Sequence, residues 1–336
     1  MTRRAALSLL LTALLAGAAA PAQAKLHVVA TTETHAALAR VVGGEHVSVA
    51  YLVKGSQDPH GILPKRSFSA LLNRADLLIV NGQGLESAWL PTVLSETTNS
   101  RIREGKSGYL DASTGATLIP NDPADVRASV LLRALFAVQA AVVSKETQIP
   151  AGNNHHYALD PANGLPTAQA ILGKLVLLDP THADVFRANY ERFASKLTEK
   201  LAEWDARMKP FEGTAIVSAH RSWTYLAQRH GLRIVGYVEP PEPLVLSVTN
   251  VDNPPDRDEK AELVAKMSQR GVKLIVAETY QNQATLGEIA RRAGASLLAL
   301  PSSVSQAEGV DDYFALFDTI YQRLTPALQA AGSPGR

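Results

Sequence analysis

Short apolar strands alternate with amphipathic helices along most of the chain, and this alternation constrains the fold more than any other feature. In the first half, strands are predicted at Val47–Val53 and Ala75–Val80, and helices at Thr34–Val42 and Ser67–Asn73. Strands that are apolar on both faces need helices on both sides, as in the parallel sheets of α/β proteins. The first half therefore predicts an α/β unit, which opens with the β-branched strand after Lys25.

The same alternation returns in the last third of the chain. Strands are predicted at Gly213–Ser218, Leu232–Val238, Lys273–Ala277 and Ser296–Leu300. Helices are predicted at Ser222–Arg229, Glu259–Gln269, Gln283–Ala293 and Asp311–Leu324, the last ended by Pro326 as a stop signal. The pattern predicts a second α/β unit of the same kind.

A long helical pattern separates the two units. Apolar residues recur at helical spacing over Pro166–Leu178 and again over His182–Met208. The second helix would be roughly 40 Å long at about 1.5 Å per residue. We therefore expect two lobes, each a mostly parallel sheet covered by helices, joined by a long rigid helix. The predicted boundaries are residues 25–180, 181–209 and 210–336.

Two stretches have a weaker pattern. Asn121–Ile149 is predicted to be helical over Val126–Val143 with a loop on each side. Glu239–Arg257 is rich in proline and acidic residues, and is predicted to be an extended surface loop near the cleft between the lobes.

Residues 1–24 have the pattern of a secretory signal peptide. Arg3 and Arg4 precede an apolar run over Ala5–Ala20, and Ala22-Gln23-Ala24 matches an A-x-A cleavage site. A membrane anchor is the alternative, but the apolar run is shorter than the roughly 20 residues that a spanning helix needs. We expect cleavage after Ala24 and export, most simply to a bacterial periplasm.

Composition narrows the chemistry that the 336 residues can perform. The chain has no cysteine, which excludes thiol catalysis, disulfides, iron–sulfur clusters and cysteine-based zinc fingers. Its 33 Lys and Arg balance 32 Asp and Glu, so charge gives no reason to expect a nucleic acid partner. Any metal chemistry must use the nine histidines together with carboxylates.

Three histidines lie where α/β proteins build sites. His60 follows the second predicted strand, and His220 follows the first strand of the second unit. Ligands of open α/β sheets bind beyond the carboxyl ends of the strands, and His156 lies in a loop that could reach the same cleft. Three neutral imidazoles suit Zn²⁺, which favours nitrogen ligands in a tetrahedral arrangement.

The other isolated histidines are interpreted as structural. They are His27, His35, His46, His182 and His230. His230 stands at a helix C-terminus, where an imidazolium would suit the helix dipole.

The order of short motifs resembles the metal-binding subunits of bacterial ATP-driven importers for zinc and manganese, over essentially the whole chain after residue 24. Asp58-Pro59-His60 resembles the first ligand motif of these solute-binding proteins, and Asn81-Gly82-Gln-Gly84-Leu85-Glu86 resembles their next landmark. Asn154-His155-His156-Tyr157-Ala158-Leu159-Asp160-Pro161 is similar to the family's Asn-Pro-His-x-Trp-Leu-Asp-Pro, and His220 with His230-Gly231-Leu232 to the third ligand region.

The resemblance implies a binding protein with ligands at His60, His156 and His220. Counting back from Asp160 places the second ligand at His156 rather than His155. The implied function is capture of a divalent metal ion, zinc in preference to manganese, and its delivery to a membrane permease and ATPase. The long helix implies modest lobe movement on release.

The sequence also departs from the family pattern. A late aspartate is absent from Leu300-Pro301-Ser302-Ser303-Val304, and Asp111–Gly152 contains no histidine. Proline and tryptophan are missing from the second ligand motif. The fourth coordination position therefore stays open to water, to Glu278 or to a group of the proline-rich loop.

Two other functions use the same residues. A zinc hydrolase needs three protein ligands and an open position for water, which His60, His156 and His220 could provide. However, the sequence has no H-E-x-x-H motif and no obvious general base beyond Glu278 or Asp58, so we expect no enzyme. A metallochaperone or adhesion protein is the third candidate.

Overall fold

A computed structural model describes residues 24–121, 152–238 and 257–332, and within them two parallel sheets of four strands each. The first has the order β2-β1-β3-β4 and the second β6-β5-β7-β8, so each unit repeats the same topology. The strands are β1 Leu26–Thr32, β2 Val47–Val53, β3 Leu77–Val80, β4 Tyr109–Asp111, β5 Ala215–Ser218, β6 Arg233–Tyr237, β7 Leu274–Glu278 and β8 Ser296–Leu300. All pairings within both sheets are parallel, which confirms the predicted fold class.

Helices surround these sheets. They are α1 Glu33–Gly43, α2 Arg66–Asn73, α3 Leu90–Ser95, α4 Gly164–Leu178, α5 Ala183–Met208, α6 Thr224–Arg229, α7 Arg257–Gln269, α8 Gln283–Ala293 and α9 Tyr313–Ala331. None of the helices in the described ranges is both long and apolar enough to cross a membrane.

The long helix α5 is fixed along one face. Phe186, Phe193, Leu197 and Trp204 recur at helical spacing and are buried in the core that also contains α1, α4 and α9. The indole Nε1 of Trp204 donates to Asp318 Oδ1 of α9 at 2.9 Å. These contacts make α5 part of the packed core, as expected of a rigid connecting helix.

The sequence pattern missed two elements and ended one too early. Strand β4 has three residues and α3 has six, which is too short for a periodic signal, although β4 completes the first sheet. Helix α9 was predicted to end before Pro326, but it continues to Ala331. Leu324 and Leu328 are buried on either side of the proline, and this packing holds the helix together across the missing N–H.

Three predictions lie outside the described residues. They are the helix over residues 126–143, the signal peptide up to residue 23, and the proline-rich segment apart from its last residue, Arg257, with which α7 begins.

Candidate metal centre

Four imidazoles converge between the two sheets. His60, His155, His156 and His220 each offer a ring nitrogen, and these four atoms all lie within 4.8 Å of one another. The structure thus brings together the three histidines that the sequence singled out, and adds His155 to them. His60 follows β2 and His220 follows β5, so the site lies at the carboxyl ends of strands from both sheets.

The four rings form two close pairs. His60 Nε2 lies 2.8 Å from His155 Nε2, and His156 Nε2 lies 2.9 Å from His220 Nε2. In a tetrahedral zinc site, Zn–N bonds of about 2.0–2.1 Å place the nitrogens roughly 3.3 Å apart. Small movements of the rings would therefore adapt this group to a zinc ion.

Asp58 orients the ring of His60. Its Oδ1 accepts hydrogen bonds from His60 Nδ1 at 2.5 Å and from the His60 amide at 3.0 Å. The Asp58 side chain is 54% exposed. Partial desolvation opposes ionisation of its carboxyl, but the hydrogen bonds and charge of His60 outweigh it and lower the pKa of Asp58 to about 2. A proton held on Nδ1 makes Nε2 the nitrogen that would bind a metal, as in the usual carboxylate–histidine–metal arrangement.

Burial keeps His156 neutral. Desolvation, followed by the charges of His155, His220 and His60, lowers the pKa of His156 well below its usual range. A neutral imidazole is the form that binds metal ions. His156 is therefore ready to act as a ligand without first losing a proton at neutral pH.

Asn154 joins the loops that carry His156 and His220. Its Oδ1 accepts from the His156 amide at 2.9 Å, and its Nδ2 donates to the Arg221 carbonyl at 3.0 Å. The Asn154 carbonyl accepts from the Tyr225 hydroxyl at 2.6 Å. The asparagine common to this motif thus fixes the backbone around two of the imidazoles.

Asn81 holds the same loop from the first sheet. Its Nδ2 donates to the carbonyl of His155 at 3.0 Å, and its backbone amide donates to the buried Glu86 at 2.7 Å. Burial raises the pKa of Glu86 despite its bonds to Thr31 and to the amides of Asn81 and Gly82. The turn after β3 therefore holds the loop that carries His155.

His35 and Tyr157 are buried next to Asn81, which contacts the His155 loop. The Tyr157 hydroxyl donates to the Asn81 carbonyl at 2.9 Å and lies 3.2 Å from His35 Nε2, while Thr32 Oγ1 lies 2.7 Å from His35 Nδ1. Burial lowers the pKa of His35 to about 4. His35 is thus a neutral residue of the core, in line with its structural interpretation.

His230 is a second buried, neutral histidine. It is buried, with Nε2 2.8 Å from the Tyr321 hydroxyl, and burial lowers its pKa to about 4 even though Asp205 raises it. His230 is therefore neutral at pH 7, although an imidazolium would suit its position at the end of α6.

Glu278 lies beneath the His220 loop and outside the group of four imidazoles. It is completely buried at the end of β7, and its Oε1 accepts a hydrogen bond from the hydroxyl of Ser222. After β8, Ser303 Oγ lies 2.8 Å from Thr34 Oγ1, so the segment that lacks the late aspartate bonds to α1.

A cavity of about 60 Å³ adjoins His155 and His156. Its lining includes Lys54, Tyr280 and Ser302 from the two units. This volume holds water molecules but is far below the roughly 300–1,000 Å³ of a typical organic ligand pocket.

His155 was not predicted from the sequence. Counting from Asp160 assigned the ligand role to one member of the His-His pair and set the other aside. The pair itself was the available signal, because a second imidazole stands where the related motif has proline.

Two α/β lobes with a cluster of imidazoles at their cleft define a metal-binding solute-binding protein. Residues 28–327 match the model of the zinc-uptake complex component A periplasmic family. The chain belongs to this family, whose members are substrate-binding components of metal transporters rather than enzymes.

Individual relatives are distant in sequence, and several match over most of their length. The chain is 23% identical to the manganese ABC transporter substrate-binding lipoprotein PsaA of Streptococcus pneumoniae, over 90% of this chain and 89% of that protein. The crystal structure of ZnuA matches with a TM-score of 0.68 at 19% identity, over 90% of this chain and 99% of that one. The Cd-bound periplasmic metal-binding protein of Candidatus Liberibacter asiaticus matches with a TM-score of 0.69 at 17% identity, over 90% and 100%. At these identities the structural matches establish the fold.

Proposed function

We propose that this protein captures zinc outside the cytoplasm, in the cleft between its lobes, and delivers it to the permease and ATPase of an importer. The observation that carries the proposal is the convergence of His60, His156 and His220 from loops of both sheets. These three residues are the ligands that we assign. The cleft position lets lobe movement expose the ion to the permease.

The chemistry of the donors favours zinc over manganese. Imidazole nitrogen suits Zn²⁺, whereas Mn²⁺ prefers carboxylate, carbonyl and water oxygens and lies at the weak end of the divalent affinity series. The group of converging side chains is made of imidazoles, and Asp58 is bonded to His60 Nδ1. Some relatives are named for manganese. The assignment of zinc to this chain therefore rests on its own residues and not on the names of its relatives.

The proposed function also includes export of the protein and delivery of the ion. Residues 1–24 would direct secretion and be removed after Ala24, which leaves the binding protein in the periplasm. The metal ion is the cargo, and the partners of the protein are the permease and the ATPase of the importer.

A hydrolase is the second candidate, and the cleft supports it poorly. Catalytic zinc needs an open coordination position next to room for a substrate. The adjoining cavity of about 60 Å³ is too small for a typical organic substrate. We therefore expect zinc-loaded protein to be inactive towards ester, phosphate and lactam substrates.

Competition titration tests the proposal. Zinc should bind at one tight site in the presence of a calibrated chelator, and His60→Ala or His220→Ala should weaken it at least tenfold. His27→Ala serves as the control, because His27 is exposed on β1 outside the cluster. Unchanged affinity in both site variants would refute the site, and substrate turnover abolished by His156→Ala would favour the hydrolase.

A further inference from the structure

The fourth member of the imidazole cluster has no role in the three-ligand site. His155 Nε2 lies 2.8 Å from His60 Nε2, and its ring centroid lies 4.4 Å from that of His156. The ligand atoms of all four residues fall within 4.8 Å of one another. His155 is therefore as close to the other ligand atoms as a shared metal ion requires.

The backbone of His155 is fixed on both sides. Asn81 Nδ2 donates to its carbonyl at 3.0 Å, and the preceding Asn154 bonds to the second unit through Arg221. Because these contacts already hold the backbone, the loop would lose little freedom when the imidazole binds a metal.

Among the described residues, the carboxylates nearest the cluster have partners of their own. Asp58 accepts from His60 Nδ1, and Glu278 accepts from Ser222. Ser302 and Ser303 stand where a late aspartate would lie, and Ser303 bonds to Thr34. Within the described ranges, His155 is the further ligand group that lies within 4.8 Å of the other three.

We propose that His155 is the fourth metal ligand, so that the site is a closed, all-imidazole tetrahedron rather than a three-histidine site completed by water or a carboxylate. This inference rests on the proposed function and deepens it. Four protein ligands leave no position for a reactive water, which suits storage of cargo rather than catalysis. Four neutral nitrogens also discriminate against Mn²⁺ more strongly than a site with a carboxylate.

Ligand counting tests this directly. X-ray absorption at the zinc edge of purified, zinc-loaded protein should give four imidazole nitrogens in the wild type. His155→Ala should give three nitrogens with an oxygen from water, and should weaken zinc at least as much as the 10–100-fold that loss of an outer-shell partner costs. His155→Gln provides a second variant that keeps a polar side chain, and His27→Ala should behave as wild type.

A metal-selectivity measurement completes the test. His155→Glu places a carboxylate at the fourth position, so the ratio of zinc to manganese affinity should fall at least tenfold relative to the wild type. A ratio that stays the same, together with four nitrogens in His155→Ala, would overturn the inference.

Failure of the inference and failure of the proposed function give different results. If His60→Ala loses the zinc site while His155→Ala keeps wild-type affinity and four nitrogens, only the role of His155 is refuted. If the wild type has no zinc site, or His60→Ala binds as tightly as the wild type, the proposed function itself is refuted. Circular dichroism of each variant establishes that the fold is retained.

Discussion

The side-chain amide of Asn154 donates to the carbonyl of Arg221 at 3.0 Å, and this bond ties the loop of His156 to the loop of His220. The same side chain accepts from the His156 amide at 2.9 Å. Two ligands that are 64 residues apart in sequence are therefore positioned by a single asparagine.

Asn154→Ala should weaken zinc binding about tenfold. Two hydrogen bonds are lost, each of which contributes about 0.5–1.5 kcal/mol, and the two imidazoles lose their fixed spacing. Chelator competition measures the loss. Asn153→Ala is the matched control, since Asn153 bonds to Gln83 within the first unit, and an equal loss in both variants would argue against a specific role for Asn154.

Asp58→Asn should reduce zinc affinity by roughly 10–100-fold, the usual effect of removing the carboxylate behind a metal-binding histidine. The number of nitrogen ligands should stay the same, because His60 itself is retained. Asp184→Asn changes an exposed carboxylate that pairs only with Arg187 among the described ion pairs, and should have no effect. A loss of one nitrogen ligand in Asp58→Asn would show that Asp58 does more than orient the ring.

The free energy of unfolding of the metal-free protein should decrease as the pH is lowered below about 6.5. His35 and His230 have pKa values near 6.5 when unfolded, and burial lowers the pKa of each to about 4 in the folded protein. The unfolded chain therefore binds more protons between pH 6.5 and 4, and each residue reduces the free energy of unfolding by about 1.4 kcal/mol per pH unit in that range. The contribution is fully present above pH 6.5 and is lost as pH falls towards 4.

Urea unfolding at a series of pH values measures this dependence. His35→Gln keeps hydrogen-bonding groups but cannot titrate, so its slope should be smaller than that of the wild type by about 1.4 kcal/mol per pH unit. The difference in free energy of unfolding between the wild type and His35→Gln at pH 7.5 gives the effect of the substitution on packing and hydrogen bonding, separately from titration. Identical slopes would show that His35 is not the neutral, buried group described above.

Glu33→Gln should destabilise the fold by about 1–3 kcal/mol, because one buried acceptor is replaced by a donor. The Glu33 carboxylate accepts from the Gly55 amide at 2.9 Å and from the Gln306 amide at 3.1 Å, and so connects the loop before His60 to the second unit. Urea unfolding at neutral pH measures the change. Glu45→Gln alters an exposed carboxylate and should leave the free energy of unfolding unchanged. An equal loss of stability in both variants would contradict the role of Glu33 in joining the two segments.

Much of the fold was predictable because its strands and helices carry strong periodic signals. Val47–Val53, Gln283–Ala293 and Ser296–Leu300 were predicted with their observed bounds. Strand β4 was not, because three residues carry no period. Pro326 misled the prediction of α9, because local stop signals do not report the tertiary packing of Leu328.

Part of the site was also predictable, because its position follows from the predicted strands. The rule that ligands bind at the carboxyl ends of parallel strands selected His60 and His220. His155 could not be assigned in this way, because the direction of two adjacent side chains depends on the bend of their loop. Contacts of that loop with Asn81 and Arg221 set the bend, and they join residues distant in sequence.

Anomalous diffraction at the zinc edge from crystals of the zinc-loaded protein tests the central claim most directly. We predict one strong peak between the lobes, within about 2.0–2.1 Å of nitrogen atoms of His60, His156 and His220. A zinc-loaded crystal with no peak among these imidazoles, or with its strong peak elsewhere on the molecule, would contradict it.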